Sequence, residues 1–190
     1  MITAILLAAG ESKRIPKENK LLKKFKSKPL VNHILESLIK SRVNKIIIVL
    51  GYEHSKVKKI LIKKKKITLV INKDYKKGMS SSIKSGLKKV SKNNKGFMII
   101  QSDMPYIKSS HINKINNSIL NKNKLVHALK HKNRRGNPIG FNISVLNKFK
   151  KIKGDIGAKY MVKKLKKNTN FINVTSNKIF KDFDLKKDFN

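Results

Sequence analysis

Apolar residues along this chain come in two alternating forms, short unbroken runs of strand length and stripes spaced three or four residues apart. The runs fall at residues 4–9, 45–50, 67–71 and 97–102, the last closing on polar Gln101 and Ser102. A continuous apolar run is the mark of a strand covered on both faces. Between them, residues 29–39 carry Leu30, Ile34, Leu35 and Leu38 on one helical face with Pro29 near the first helical position, and residues 54–63 carry Val57, Ile60 and Leu61. A helix at 109–120 follows the fourth run. Strands alternating with helices predict an α/β fold: a three-layer, Rossmann-like arrangement around a mostly parallel sheet with right-handed crossovers.

The second half is less regular. Residues 125–130 alternate loosely as a strand, and Arg134-Arg135-Gly136-Asn137-Pro138 reads as a paired-arginine turn into a short strand ending at Phe141. A short helix is predicted at 145–149, and Gly154-Asp155-Ile156-Gly157-Ala158 as a small-residue turn opening a helix to Leu165. Short strands at 171–174 and 178–180 precede an Asp-rich end. With no internal repeat and no linker, residues 1–190 are expected to form one domain with a sizeable core.

Charge changes this picture least where it is loudest. The 47 Lys and Arg against ten Asp and Glu give a formal net charge of +37, which suggests a polyanion binder or a surface written in lysine. Arginine occurs only at Arg14, Arg42, Arg134 and Arg135, and asparagine fills many other polar positions, so the expectation is lysine bias. A dedicated nucleic-acid surface would mix arginine and aromatics along one face. Weak binding to nucleic acid at low salt is still expected, because counterion release needs only charge. No apolar run approaches the roughly 18 residues of a membrane span. The chain passes from Met1 straight into a strand without a leader-like pattern, and the absence of cysteine excludes disulfides and thiolate chemistry. A cytoplasmic location, with no membrane partner, is the expectation.

In so basic a chain the few acids become informative, and they sit beside phosphate-type loops. The first strand ends at Ala8-Ala9-Gly10, where minimal side chains let backbone N–H groups approach a ligand, and Arg14 and Lys20 then supply positive charge. Asp103 stands at the carboxyl end of the fourth apolar run, on the ligand-binding edge of a parallel sheet. The cluster Ser80-Ser81-Ser82 opens a helix, with serines suited to N-capping and free N–H groups behind them. The paired arginines suggest a phosphate contact or a solvated turn. The histidines at 33, 54, 111, 127 and 131 show no ligand spacing. A glycine-containing basic loop, a strand-end aspartate and an Asp-rich tail together describe metal-assisted nucleotidyl transfer.

The motifs also resemble those of the MobA-like NTP transferases, and within them the molybdenum cofactor cytidylyltransferase branch. Leu7-Ala8-Ala9-Gly10-Glu11-Ser12-Lys13-Arg14 is similar to that family's Leu-Ala-Ala-Gly-x-Ser-x-Arg signature, and Lys20-Leu21-Leu22 to its Lys-Leu-Leu. Gly78-Met79-Ser80-Ser81-Ser82 resembles the cytidylyl branch, the guanylyl branch having Gly-Pro-Leu-Ala-Gly there. Asp103-Met104-Pro105, Gly136-Asn137-Pro138 and Gly154-Asp155-Ile156-Gly157-Ala158 are similar to Asp-Met-Pro, Gly-His-Pro and Gly-Asp-x-Gly-Ala. Asp182-Phe183-Asp184-Leu185-Lys186-Lys187-Asp188 matches the spacing of Asp-Ile-Asp-Thr-Pro-Glu-Asp. Ile15-Pro16 stands where Met-Gly is usual, Asn137 where His is usual, and Leu185-Lys186-Lys187 in place of Thr-Pro-Glu.

The resemblance implies a nucleotidyltransferase fold and a Mg²⁺-dependent transfer of CMP from CTP to a molybdopterin-type cofactor, with release of pyrophosphate and a molybdoenzyme as recipient of the product. It implies catalytic roles for Arg14, Lys20 and Asp103, and nucleotide contacts from Leu7, Ala8, Ala9, Gly10, Lys20, Ser80, Ser81, Ser82 and Asp103. Asp103 and Asp184 would hold the metal; Arg135, Asn137 and Asp155 fall to the acceptor side, Asp155 alternatively to orienting loops. Three other readings stay open: transfer from GTP or another NTP to a different phosphorylated acceptor, a basic nucleic-acid-binding protein, and an inactive accessory protein that retains cofactor binding.

Overall fold

The computed structural model describes residues 1–12, 14, 15 and 18–189. Its chain runs β1 (Ile2–Ala8), a small hairpin of β2 (Lys24–Phe25) and β3 (Lys28–Pro29), α1 (Leu30–Ile39), β4 (Lys45–Leu50), α2 (His54–Ile60), β5 (Ile67–Ile71), α3 (Met79–Leu87), β6 (Gly96–Gln101), α4 (Ser109–Asn121), β7 (Val126–His131), β8 (Arg134–Asn142), α5 (Lys159–Lys164) and β9 (Thr169–Asn173). Seven strands form one sheet in the order β5-β4-β1-β6-β8-β7-β9. β1 pairs in parallel with both β4 and β6, and β8 alone runs against its neighbours. The fold is the predicted α/β class with a mostly parallel sheet.

Burial explains the strand pattern. Every residue of β1 is buried, because the strand lies mid-sheet with a layer of helices on each face. Ala4, Leu6, Ile46 and Ile48 face a core closed by α1, α2 and α4, and Ile5, Leu7, Ile47 and Val49 face another closed by α3, α5 and residues 143–151. The windings diverge at β1: β4 and β5 lie on one side of it and β6 on the other. The crevice between the carboxyl ends of β1 and β6 is therefore where a sheet of this kind takes its ligand.

Some local expectations change. Arg134 and Arg135 are not in a turn but begin β8, paired with His131 and Lys130 of β7, and the connection is Lys132-Asn133 with Lys132 at φ +50°. Residues 143–151 and 177–180 are 3₁₀ turns rather than an α-helix and a strand, the second burying Ile179 and Phe180 against the core. The second helix stops at Ile60, where Leu61 turns extended.

Two glycines set how closely layers approach. A Cβ on Gly86 would lie 2.5 Å from Cγ2 of Ile5, and one on Gly140 2.5 Å from Cγ2 of Ile115. Gly86 thus lets α3 sit directly on β1, which fixes the height of that helix over the sheet edge. Gly86→Ala is expected to lower stability by about 1–3 kcal/mol through overpacking. Urea denaturation checks this, as a lower midpoint with an unchanged slope.

A buried polar relay ties α4 to the far side of the sheet. Asn170 Nδ2 donates to Ser118 Oγ at 2.8 Å, Ser118 Oγ lies 2.7 Å from His127 Nδ1, and His127 Nε2 is 3.0 Å from the Lys124 carbonyl. A carbonyl can only accept, so His127 carries a proton on Nε2, and burial favours the neutral ring. Burial lowers the pKa of His127 below its ordinary 6.5, and burial with neighbouring lysines lowers that of His111. The unfolded chain therefore takes up these protons first, so stability is complete above about 6.5 and is lost as pH falls from there toward the folded pKa values. Urea midpoints between pH 7.5 and 5.5 should fall. The His127→Gln variant, although less stable at pH 7.5, should lose less over that interval.

Candidate nucleotide-transfer site

A cleft of about 760 Å³ opens at the carboxyl ends of β1 and β6. Its first wall is the loop that leaves β1. Leu7, Ala9 and Gly10 line it, whereas Ala8 turns into the core beneath α1. A Cβ on Gly10 would meet nothing within 4 Å, so the backbone there faces the open cleft.

The loop is pinned at both ends by residues that carry no charge. Ser12 Oγ accepts from the Lys20 amide at 3.1 Å, and Ile15, 2% exposed, is buried with its amide on the Ser12 carbonyl. Asn19 is equally buried and accepts from the Leu21 amide. Ile15, which replaces the usual Met of the signature, is thus an apolar anchor of the loop. Its neighbour Pro16 lies outside the described residues, as does Lys13.

The opposite wall is built from β6 and the tail. Ser102 Oγ donates to the Leu7 carbonyl at 2.7 Å, tying the end of β6 to β1, and Asp103 follows. The Asp103 carbonyl accepts from the Phe183 amide at 2.9 Å. Phe183 is fully buried among Phe25, Tyr106 and Phe189, so an aromatic plug delivers Asp184 to the cleft. Asp188 does not reach the site: its Oδ2 accepts from the Asp184 and Leu185 amides and shapes the turn between them.

Lys20 joins the two walls. Its Nζ donates to Asp103 Oδ2 at 2.6 Å and to Asp184 Oδ1 at 2.7 Å, and Arg14, exposed at the rim, pairs with the other Asp184 oxygen. Burial works against the charge on Lys20, but the two carboxylates more than offset it and raise its pKa above the ordinary lysine value. Burial raises the pKa of Asp103, with Lys20 pulling the other way. Asp103 Oδ1 is buried without a hydrogen-bond partner. The set fits a small divalent cation: two carboxylates side by side on one wall, one with an unsatisfied oxygen, leaving further positions to phosphate oxygens and water. Half of the chain's ten carboxylates, Glu11, Asp103, Asp155, Asp182 and Asp184, line this one cleft, in a protein with 47 basic residues.

The third side is the start of α3. Gly78, at φ +93°, is its N-cap, so the serines occupy the first turn and not the cap as expected. Only Ser82 lines the cleft. Ser81 Oγ sits against the Asp74 and Gly78 carbonyls and accepts from Asn72 Nδ2, while Ser80 is buried with its amide on the Gly154 carbonyl. Asp155 Oδ1 accepts from the Met79 amide at 3.2 Å, and a Cβ on Gly78 would lie 2.5 Å from the Gly154 carbonyl carbon. The turn at 154–158 therefore clamps the start of α3, with Asp155 also lining the cleft.

Arg135 and Asn137 do not join Asp155. They line a neighbouring cavity of about 220 Å³, which shares Gln101 and Asp182 with the large cleft. Gln101, Asp182, Lys76 and Lys77 line the cleft although motif reading gave them no role, Asp182 being the first residue of the tail motif. A polar residue closing an apolar strand was the available signal for Gln101; nothing in the local sequence marks the lysines.

A model of the MobA-like NTP transferase domain matches residues 4–169. The chain belongs to this family. Solved structures with the same fold include Rv0371c from Mycobacterium tuberculosis H37Rv, with a TM-score of 0.86 at 19% identity, covering 99% of this chain and 95% of that one. A complex of that protein with manganese matches with a TM-score of 0.76 at 18% identity, over 92% and 89% of the two chains. A nucleotidyl transferase from Methanothermobacter thermautotroptrophicus matches with a TM-score of 0.83 at 16% identity, over 100% and 94%. The 4-diphosphocytidyl-2C-methyl-D-erythritol synthase from Anaerococcus prevotii gives 0.76 at 15%, over 99% and 92%. At these identities the likeness is one of fold. Among the described residues of this MobA-like domain, no helix is long and apolar enough to cross a membrane.

Removing Lys20 from the cleft isolates a buried carboxylate. In chelator-treated protein Lys20→Met should cost about 3 kcal/mol, because Asp103 is left without its cation. The double variant Lys20→Met/Asp103→Asn should be more stable than Lys20→Met alone. Urea denaturation of the four proteins of that cycle measures it, and additive losses would contradict the coupling.

Proposed function

We propose that this MobA-like domain is a Mg²⁺-dependent cytidylyltransferase that joins CMP from CTP to a terminal phosphate of a molybdopterin-type acceptor and releases pyrophosphate. The observation that carries the reading is the adjacent pair Asp103 and Asp184, bridged by Lys20 across from the open backbone at Gly10. Attack at the α-phosphate asks little covalent chemistry of the protein, so positioning and charge neutralisation do most of the catalysis. Asp103 and Asp184 would hold a Mg²⁺ that neutralises triphosphate charge and orients the reacting groups. The complex of a fold relative with manganese agrees with divalent-ion binding in this architecture.

In this reading the Leu7, Ala9 and Gly10 backbone receives the phosphates, and Arg14 and Lys20 stabilise the charge that builds on them. Both cations are held at Asp184 and can turn to phosphate oxygens when an ion takes over the carboxylates. Ser82 and the first turn of α3 are the contacts for the nucleoside. Asp155 orients that turn through its bond to the Met79 amide. Arg135 and Asn137, in the adjoining cavity, meet the acceptor. The preference for CTP rests on the likeness of Gly78-Met79-Ser80-Ser81-Ser82 to the cytidylyl branch.

Purified protein incubated with Mg²⁺, molybdopterin and radiolabelled CTP, GTP or ATP tests this directly. The expected result is acceptor-dependent pyrophosphate release with CTP preferred about tenfold or more, in line with recognition of a base by hydrogen bonds. Asp103→Asn should lower kcat by about a hundredfold or more, as loss of transition-state electrostatics does. Turnover only with GTP, or only with another phosphorylated acceptor, contradicts the specific assignment.

A further inference from the structure

We infer that the free edge of β5 is a docking site for an extended, acidic segment of another protein, which adds to the sheet as a further strand. The surface lies outside the nucleotide cleft, and the inference does not rest on the transfer reading. β5 pairs with β4 and ends the sheet on that side. The Ile46 amide goes to the Lys66 carbonyl and the Asn72 amide to the Leu50 carbonyl, so even-numbered residues from 66 to 72 turn their peptide groups to β4. The amides and carbonyls of Leu69 and Ile71 therefore point out of the sheet. A row of such groups is a template for another strand.

The side chains of β5 leave this edge bare. Its sequence, Ile-Thr-Leu-Val-Ile, contains no charge and no proline, the residues that usually blunt an edge strand. Alternation puts Ile67, Leu69 and Ile71 on one face. Ile67 reaches the core closed by α1, α2 and α4, but α2 ends at Ile60, and Leu69 and Ile71 are 37% and 51% exposed. The other edge of the sheet is built differently. In β9, Asn170 and Asn173 are polar, Ile172 packs on the core, and Phe171 lies beneath the Arg135 guanidinium, 5.6 Å from its ring centre.

Charge selects the occupant. Six of the nine residues 58–66 are lysine, and Lys73 follows the strand. Among the described residues, Lys58, Lys59, Lys63, Lys64, Lys65 and Lys73 make no ion pair, and the acids nearest in sequence are taken, Glu53 by Lys56 and Asp74 by Lys77. A second copy paired edge to edge would bring two such clusters together, which like-charge repulsion opposes. Nucleic acid would answer the lysines but offers a charged backbone to Leu69 and Ile71. A strand with apolar residues at alternate positions and acids at its ends meets the open peptide groups, the apolar face and the lysines together.

The probe is the acetylated and amidated peptide Glu-Asp-Glu-Val-Thr-Val-Thr-Val-Glu-Asp-Glu, which reads the same in both directions. Its control carries the same side chains on N-methylated central amides, which cannot pair. Each is titrated into the full chain, and amide hydrogen exchange is followed by NMR. The peptide should slow exchange at Leu69 and Ile71 by about tenfold or more and leave Thr68 and Val70, already bonded to β4, as they were; the control should slow neither pair. The variant Lys63→Gln/Lys64→Gln/Lys65→Gln should weaken the peptide about tenfold, the worth of three exposed ion pairs. No slowing at Leu69 and Ile71, or equal slowing by the control, overturns strand addition, and unchanged affinity in the triple variant overturns the acidic partner. Equal slowing by a single-stranded DNA oligomer of matching charge assigns the edge to nucleic acid instead. Slow exchange of both amides in the protein alone, with a dimeric mass, assigns it to a second copy, and either result overturns the proposal.

Discussion

The site depends on a lysine held between two carboxylates. Lys20 comes from the loop after β1, Asp103 from the end of β6, and Asp184 from the tail, so one ammonium joins segments separated by more than 80 residues. Each carboxylate is positioned by something other than the charge itself. Ser102 laces β6 to β1 before Asp103 leaves the strand, and Phe183 is plugged into an aromatic cluster immediately before Asp184. Their mutual repulsion on one side of a cleft is tolerable because a cation sits between them.

This arrangement explains why acids are kept in so basic a protein. Lysines distributed over a surface are solvated and need no partner. Five of the ten acids are gathered instead around one cleft at the carboxyl edge of the parallel strands, the usual ligand edge of such a sheet. The same economy governs the small residues: Gly86 lowers α3 onto the sheet, Gly78 lets the 154–158 turn close on the start of that helix, and Gly10 leaves backbone bare in the cleft.

Much of this was legible in the sequence because it was written in local pattern. Unbroken apolar runs identified the central strands, and the order of strands and helices identified the parallel sheet. Gly10, Lys20, Asp103 and Asp184 were found through the ends of those strands and through motif spacing. The geometry added what spacing cannot hold. The serines at 80–82 read as caps, but Gly78 takes the cap, Ser80 is buried and the Ser81 hydroxyl is turned to the Asp74 and Gly78 carbonyls, which leaves Ser82 alone of the three lining the cleft. The arginines at 134 and 135 read as a turn because Gly136 and Pro138 follow, yet pairing with β7 extends the strand through them. Asp155 was grouped with Arg135 and Asn137 by motif, whereas tertiary packing sends it to α3. Gln101 gained meaning only when folding placed it on the border of two cavities.

The central claim is that Asp103 and Asp184 form the cation seat of a nucleotide cleft whose opposite wall is Gly10. A crystal structure of the protein with Mg²⁺ and α,β-methylene-CTP tests it most directly. The account predicts a metal between the Asp103 and Asp184 carboxylates, Lys20 turned to phosphate oxygens, and the triphosphate against the backbone at Gly10. A nucleotide bound with its metal elsewhere, or with the Lys20 bridge to both carboxylates intact, would contradict it.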